Sequence, residues 1–264
     1  GFIGLGVMGF PMAGHLATKG YKVAVFNRTL KKSQDWIKEY NGTLCESLSE
    51  LAESSEVIFL CVGNDDDVKN IINGDDGIIN YLKPGTILID HTTTSAELPI
   101  ELNKSLHLKK VSFLDAPVSG GQAGAESGIL SVMVGGNKES YEDVKEIIGA
   151  YSKFIKYMGE SGSGQLTKMV NQICIAGLIQ ALAEGINFSD EVGLNTKDVI
   201  EVISKGAAQS WQMENRWETM INNEYNHGFA VDLMRKDLDI VLEKAKKNNI
   251  SIDITKIIND YYKD

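Results

Sequence analysis

The sequence predicts an α/β protein in which a doubly wound parallel sheet is followed by an all-α C-terminal domain. Almost continuously apolar segments alternate with helical patterns through roughly the first 150 residues. From about Gly164 onward only helical patterns remain. Continuous apolar runs of strand length are typical of strands buried on both faces of a parallel sheet, because helices cover both of its sides.

The first half contains the strands in a regular order. Phe2 and Ile3 precede a glycine loop, and the later apolar segments predict strands at 21–26, 56–62, 86–90, 111–115 and 130–134. Helices are expected between them at 11–19, 30–41, 47–54, 66–72, 96–106 and 141–151. Ser47 with Glu50 three residues later forms a capping-box pattern at the third helix.

The second half predicts helices at 165–191, 196–204, 211–222, 231–248 and 254–262. The first of these is apolar on most faces, so we expect a helix buried nearly all round, in a core or at a subunit seam of a homodimer or homotetramer. Trp211, Trp217 and Phe229 are expected in the core, with Trp211 or Phe229 as a candidate pocket wall. The glycine-rich loop 159–164 sets the predicted boundary between domains 1–160 and 161–264.

Composition and charge narrow the function classes. The chain has 264 residues, 43% of them hydrophobic, and a net charge of −10, which disfavours nucleic acid and anionic membranes as partners. No uninterrupted apolar run reaches transmembrane length, so no membrane span is expected. The three cysteines and four histidines show no metal-ligand spacing, and we expect no metal site and a cytoplasmic location.

The loop between the first strand and the first helix reads G-x-G-x-x-G. Gly4 suits a tight turn, Gly6 lets the backbone approach a pyrophosphate, and Gly9 lets helix and strand pack closely. Val7 and Met8 complete the loop, and the following helix start offers N–H groups to phosphate oxygens. A strand, this loop, a helix and a second strand together indicate a Rossmann-type dinucleotide site.

The end of the second strand predicts which dinucleotide binds. NAD sites usually carry Asp or Glu there to bond the ribose hydroxyls. This chain has Asn27, Arg28 and Thr29 instead, and Arg28 is suited to grip a 2′-phosphate. We therefore predict NADP as the preferred cofactor, with NAD as the alternative.

A second loop of small residues follows the strand at 111–115. Ser119 and the N–H groups of Gly120 and Gly121 are expected to form a nest for a carboxylate, since no side chain blocks approach to the backbone.

Lys168 stands among apolar residues near the start of the long helix. Burial there would lower its pKa and suit it to proton transfer near neutral pH. Asn171 and Gln172 follow three and four residues later, on the same face. Either amide could orient Lys168 or a substrate oxygen, and the choice between them stays open.

These motifs together resemble the β-hydroxyacid dehydrogenase family. The resemblance covers nearly the whole chain and rests on GLGVMG, NRT, DAPVSGGQAGAESG, GQLTKMVNQ and MRKDL, in that order. The family includes 3-hydroxyisobutyrate dehydrogenase, tartronate semialdehyde reductase and the glyoxylate and succinic semialdehyde reductases. Its members resemble 6-phosphogluconate dehydrogenase. NRT resembles the NADPH-using semialdehyde reductase branch.

The resemblance implies roles for particular residues. Lys168 matches the family's catalytic lysine, and Ser119 with its two glycines matches the substrate-carboxylate loop. Thr93 matches a position at the nicotinamide edge, Val62 a backbone contact to the cofactor, and Lys236 a lysine on the cofactor side of the cleft. Where the family often has Asn four residues after the lysine, this chain has Gln172.

The resulting prediction is an oxidoreductase that interconverts a small carboxylate-bearing aldehyde and its hydroxy acid, with Lys168 as general acid and base. The alternatives are a 3-hydroxyisobutyrate dehydrogenase proper, an imine reductase, a 6-phosphogluconate dehydrogenase and a non-catalytic NADP-binding module. Lys168 argues against the imine reductase and the non-catalytic module, and Asn171-Gln172 against the 6-phosphogluconate dehydrogenase, where a His-Asn pair is normal. Only Phe2 and Ile3 of the first strand precede the glycine loop, and family members extend past Asp264, so we expect further residues at both ends of this chain.

Overall fold

The computed structural model describes residues 1–225 and 230–263. It divides into two compact units, Gly1–Lys168 and Met169–Asp264, and the division falls inside one long helix. The predicted domain boundary at 160/161 stays a prediction.

The first unit is a nine-stranded sheet with helices between the strands. Its strands are β1 (Phe2–Ile3), β2 (Ala24–Phe26), β3 (Thr43–Leu44), β4 (Val57–Leu60), β5 (Ile87–Asp90), β6 (Ser112–Asp115), β7 (Val118–Ser119), β8 (Leu130–Gly135) and β9 (Ser152–Gly159). Its helices are α1 (Gly9–Thr18), α2 (Leu30–Glu39), α3 (Leu48–Ser54), α4 (Asp65–Asn73), α5 (Glu97–His107), α6 (Gly121–Glu126), α7 (Lys138–Ile148) and the start of α8 (Ser163–Glu191).

The strand order confirms the predicted doubly wound sheet. The order is β3-β2-β1-β4-β5-β6-β8-β7, with β9 pairing β8, and strands β1 to β6 pair in parallel. The chain thus starts in the middle of the sheet, moves to one edge, and then crosses to the other side. This reversal creates the switch point at which dinucleotides bind in such folds.

The sheet is covered on both faces, as its apolar strands require. Neighbouring strand residues belong to different buried clusters: Phe59 packs with Met12 of α1, whereas Ile58 packs with Leu51 of α3. Because side chains alternate along a strand, one uninterrupted apolar run supplies both cores.

Short polar side chains fix several helix starts. Ser47 accepts a hydrogen bond from the Glu50 N–H at α3, and Asn64 accepts one from the Asp67 N–H at α4. Each side chain satisfies a backbone donor that the first turn leaves without an intrahelical partner.

The edge of the sheet differs from the prediction in three ways. Strand β8 pairs antiparallel with β6 and β7, whereas a parallel strand was expected. The glycine-rich segment expected as a loop contains the six-residue α6. Residues 152–159, for which no strand or helix was predicted, form β9. Many of its side chains are exposed, so it lacks the continuous apolar run by which the other strands were predicted.

The second unit is helical, as predicted. It contains the rest of α8, α9 (Thr196–Ile203), α10 (Trp211–Ile221), α11 (Val231–Lys247) and α12 (Asp253–Tyr261). One buried cluster joins Ala176 of α8 to Leu238 of α11, and another joins Leu182 to Ile200. Trp211, expected in the core, is 50% exposed with Arg216 over its ring, and Phe229 lies outside the described residues.

Helix α8 is less buried than predicted. Leu166, Val170, Leu178 and Phe188 are exposed in the single chain, so the expected core position is not observed, and the alternative of a subunit seam stays a prediction. The helix has 29 residues and an 18-residue window of mean hydropathy 1.4, enough in length and composition to cross a membrane. That corrects the expectation that no segment qualifies. A core helix of a soluble protein meets the same criterion, so this helix does not by itself indicate a membrane span.

Candidate active site

The glycine loop after β1 has the backbone that a bound dinucleotide requires. Gly4 has a φ of 97°, and a β-carbon there would lie 2.3 Å from the carbonyl oxygen of Cys61. A β-carbon at Gly9 would lie 1.9 Å from the carbonyl oxygen of Gly4, so this helix start packs directly on the loop. At Gly6 an added β-carbon would meet no heavy atom within 4 Å. The loop therefore leaves open space on the side where a pyrophosphate approaches the backbone.

The start of α1 is also suited to phosphate. Met8 is the N-cap and makes no side-chain capping hydrogen bond, and the first turn holds no acidic residue. Val7 beside it is half-exposed. No side chain of this turn competes with a phosphate for the positive end of the helix dipole. Loop and helix start together fit the pyrophosphate of a nicotinamide dinucleotide.

Asn27, at the end of β2, holds the glycine loop. Its Oδ1 accepts a hydrogen bond from the Leu5 N–H at 2.8 Å, and its Nδ2 donates to the carbonyl oxygen of Thr29 at 3.1 Å. Thr29 is the N-cap of α2 and makes no side-chain capping bond there. Asn27 therefore has a structural task besides the cofactor contact that the sequence predicts.

Arg28 is 92% exposed and faces an acidic neighbour. Its guanidinium lies 3.7 Å from the Asp67 carboxylate, in the first turn of α4. An ion pair this exposed is weak, because water and salt screen it. The arrangement leaves Arg28 able to meet a 2′-phosphate, but places a negative charge beside the place where that phosphate would lie.

The segments after β4 and β5 are bonded to each other. The Val62 N–H donates to Oγ1 of Thr92 at 3.0 Å, and the Thr92 N–H donates to the Asp90 carboxylate at 2.9 Å. Thr93 follows, half-buried, at the carboxyl end of β5. Carboxyl ends of parallel strands are where ligands bind in such sheets.

Asp115, the last residue of β6, caps the start of α8. Its carboxylate accepts hydrogen bonds from the N–H groups of Gly162 at 2.8 Å and Gln165 at 2.9 Å. Gly164 fits against it closely, since a β-carbon there would lie 2.8 Å from Asp115 Oδ2. A strand residue thus supplies the anion that stabilises the N-terminus of a distant helix.

Lys168 lies one turn further along this anchored end of α8. It is 8% exposed, which is unusual because lysine is rarely buried without a partner or a function. The same carboxylate that caps the helix begins the segment leading to the substrate loop. Lys168 and that loop are therefore tied to one strand end.

The predicted carboxylate loop lies between β7 and α6. Ser119 is the last residue of β7 and is half-buried. Gly120 and Gly121 have φ values of 140° and 61°, and both are exposed. Since other residues rarely adopt such angles, the two glycines are required by the backbone of this turn.

Two buried titratable side chains, Asp90 and His91, lie at the carboxyl end of β5. Burial raises the pKa of Asp90 to about 7, although its bonds with Thr92 act in the opposite direction. Burial lowers the pKa of His91 to about 4. Its ring nitrogens bond the carbonyl oxygen of Ala116 at 2.6 Å and the hydroxyl of Tyr151 at 2.8 Å. His91 therefore links the end of β5 to the segment after β6 and to Tyr151.

The raised pKa of Asp90 predicts a pH-dependent stability. The folded state holds the proton between the usual value of 3.8 and about 7, so this contribution to the free energy of unfolding is lost as pH rises through that window. Asp90→Asn is expected to flatten the slope of stability against pH, measured by urea unfolding. Asp66→Asn, at an exposed position of α4, serves as the control. An unchanged slope in Asp90→Asn would contradict the assignment.

The second unit contains its own polar cluster. Gln172 is buried, donates to the Asp237 carboxylate at 2.6 Å and accepts a bond from Asn171 Nδ2 at 2.8 Å. Lys236 lies 3.1 Å from the other oxygen of Asp237. The substrate-binding roles predicted for the two amides, and the cofactor contact predicted for Lys236, stay predictions.

The sequence analysis did not select three residues that make the contacts described above, namely Asp67, Gln165 and Asp237. Asp67 offered only a run of three acids, Gln165 only a polar residue beside glycines, and Asp237 only an acid next to Lys236. Each of these side chains is recognised from its bonding partner, which lies far away in the sequence. In the sequence each of the three is only a polar residue near an apolar or lysine-bearing segment, which is a weak signal for a contact at the site.

Comparisons with known proteins agree with this geometry. The family described as the NAD binding domain of 6-phosphogluconate dehydrogenase matches residues 1–159. The family described as NAD-binding of NADP-dependent 3-hydroxyisobutyrate dehydrogenase matches residues 162–264.

Individual relatives match over nearly their whole length. An uncharacterized oxidoreductase of Shewanella frigidimarina is 51% identical over 261 residues, covering 99% of this chain and 90% of that protein. The 2-hydroxy-3-oxopropionate reductase of Escherichia coli is 34% identical over 249 residues, covering 93% and 84%. The crystal structure of 3-hydroxyisobutyrate dehydrogenase from Salmonella typhimurium matches with a TM-score of 0.87 at 25% identity, covering 99% and 92%. The chain therefore belongs to the β-hydroxyacid dehydrogenase family of NAD(P)-dependent oxidoreductases.

Proposed function

We propose that this protein reduces a small carboxylate-bearing aldehyde, a semialdehyde or glyoxylate, to its hydroxy acid, with NADPH as the preferred cofactor and Lys168 as the general acid. The observation that carries the proposal is the position of Lys168. It is buried on a helix whose start is capped by Asp115, and Asp115 begins the segment that contains Ser119.

The residues divide the task between binding and proton transfer. The Ser119 hydroxyl and the N–H groups of Gly120 and Gly121 hold the substrate carboxylate, as small residues with accessible backbone can. NADPH, held by the glycine loop and the start of α1, would supply the hydride that reduces the carbonyl carbon. Lys168 donates a proton from Nζ to the carbonyl oxygen as negative charge develops there. In the reverse direction neutral Lys168 removes the hydroxyl proton.

The glycine loop and the end of β2 hold the cofactor. Gly6 and the start of α1 receive the pyrophosphate, and Thr93 lies at the nicotinamide edge. The exposed guanidinium of Arg28 favours NADPH, because it can make charge-assisted hydrogen bonds with a 2′-phosphate.

A second candidate is an NAD-using oxidation of a β-hydroxy acid, as in 3-hydroxyisobutyrate dehydrogenase proper. One observation favours it: the Asp67 carboxylate lies 3.7 Å from Arg28 and would repel a 2′-phosphate bound there. The two candidates differ in cofactor and direction while sharing the same proposed lysine chemistry.

A substrate panel tests the proposal. The purified protein is assayed with glyoxylate, succinic semialdehyde, methylmalonate semialdehyde and tartronate semialdehyde, each with NADPH and with NADH. We expect kcat/KM to be higher with NADPH for at least one aldehyde. Equal or higher values with NADH would favour the second candidate, and turnover of cyclic imines alone would contradict both.

A further inference from the structure

A single buried residue, through its side chain and its backbone N–H, joins three segments of the proposed site. Gln165 is fully buried in the first turn of α8. Its Nε2 donates to the carbonyl oxygen of Thr92 at 2.7 Å, and its Oε1 accepts from the Thr94 N–H at 3.1 Å. Its own N–H donates to Asp115 at 2.9 Å. The two hydrogen bonds of the side chain therefore hold the backbone of Thr92 and Thr94, the residues on either side of Thr93.

Lys168 is three residues further along the same helix. Residues at this spacing lie on one face, about one turn apart. A shift of the segment after β5 against α8 would thus move Thr93 relative to Lys168. The bonds of Gln165 oppose that shift directly, since each end of its amide bonds a different peptide group of the segment.

We propose that Gln165 is a positioning residue that holds Thr93 in register with Lys168 during hydride and proton transfer. The inference rests on the proposed function of Lys168 and deepens it. Glutamine suits this position because its amide offers one end that donates and one that accepts, matching one carbonyl and one N–H group. Both partners are buried, so losing the amide leaves polar groups without water to replace it.

The first variant removes both bonds without adding charge. Gln165→Met is expected to lower kcat by about 10²-fold, the effect of a small misplacement of reacting groups. KM and the Kd for NADPH are expected to change much less. Hydrogen exchange at the Thr94 N–H is expected to accelerate, whether or not the enzyme turns over. Gln180→Met is the matched control, because Gln180 lies on the same helix and donates to an exposed carboxylate, Glu184, at 3.1 Å.

The second variant makes the bonding pattern depend on pH. In Gln165→Glu the protonated carboxyl group donates and accepts as the amide does, whereas the ionised group presents only acceptors to the Thr92 carbonyl oxygen. The ratio of kcat in Gln165→Glu to kcat in the wild type is expected to fall as pH rises from mildly acidic to mildly alkaline. The same ratio for Gln165→Met is expected to stay flat.

Other ionisable groups surround this position in both the wild type and Gln165→Glu. They are Asp90 and Asp65, which bond Thr92 and Ser95, Asp115 below the helix start, His91 behind the segment, and Lys168 itself. Taking the ratio to the wild type at each pH removes their common contribution. Burial at this position favours the neutral, protonated form of the introduced carboxyl group, which is the form that can replace the amide.

The outcomes separate this inference from the proposed function. Wild-type kcat in folded Gln165→Met, or unchanged exchange at Thr94, overturns the positioning role. A flat ratio in Gln165→Glu also overturns it, and if that variant does not fold, Gln165→Met decides alone. Retained turnover in Lys168→Ala overturns the proposed function instead, while the exchange at Thr94 still reports on the grip of Gln165.

Discussion

Replacing Lys168 with alanine is expected to lower kcat by about 10²- to 10⁴-fold, the range that general acid–base catalysis contributes. Lys168 is buried on the helix start that Asp115 caps, so no bulk water replaces its ammonium group efficiently. The glycine loop is untouched, and the Kd for NADPH, measured by nicotinamide fluorescence, is expected to stay unchanged. The steady-state rate of NADPH oxidation with the preferred aldehyde gives kcat.

Two controls make this result specific to the amine. Lys153→Ala removes an exposed lysine of the same unit and is expected to leave kcat unchanged. A small primary ammonium ion added to Lys168→Ala is expected to restore part of the lost rate, because it returns a proton donor of the same kind. Wild-type kcat in a folded Lys168→Ala protein would refute the assignment.

Replacing Arg28 with aspartate is expected to reverse the cofactor preference. The change removes the group that meets a 2′-phosphate and adds a carboxylate that can bond ribose hydroxyls. Hydrogen bonds to charged groups contribute about 1.5–3 kcal/mol, so the ratio of kcat/KM for NADPH to that for NADH is expected to fall by about tenfold or more. Lys32→Asp, an exposed charge reversal in the next helical turn, is the control. An unchanged ratio would show that Arg28 does not contact the cofactor.

Asp67→Asn is expected to move the same ratio in the opposite direction. Removing this carboxylate, 3.7 Å from Arg28, relieves its repulsion of a 2′-phosphate and leaves the guanidinium unpaired. The effect is smaller than that of Arg28→Asp and weakens with salt, because the pair is exposed. Asp66→Asn, one residue earlier in the same helix turn, controls for the loss of a negative charge at the helix start.

The fold could be predicted wherever the residue pattern of a single segment is enough to indicate its structure. The runs at 56–62 and 86–90 are apolar on both faces, and this alone indicates buried parallel strands. The glycine loop was predictable for the same reason, since a turn, a close approach and a helix start occupy six consecutive residues.

Features that depend on distant partners were not predictable. Strand β9 is half-exposed at the sheet edge, and its pairing with β8 depends on tertiary contacts rather than on a pattern in its own sequence. Gln165 bonds Thr92 across 73 residues of sequence, and Asp67 of α4 contacts Arg28, which lies between β2 and α2. The exposure of α8 likewise depends on what packs against it, and the expected homo-oligomer stays a prediction.

The most direct test of the proposed chemistry is a product assay. NADPH oxidation and hydroxy-acid formation are followed together, by absorbance and by proton NMR, for the wild type, Lys153→Ala and Lys168→Ala. The account predicts one hydroxy acid formed for each NADPH oxidised in the first two proteins, and a near loss of both in the third. Folded wild-type protein that binds NADPH yet forms no hydroxy acid from any aldehyde of the panel, or equal turnover by Lys168→Ala, would contradict it.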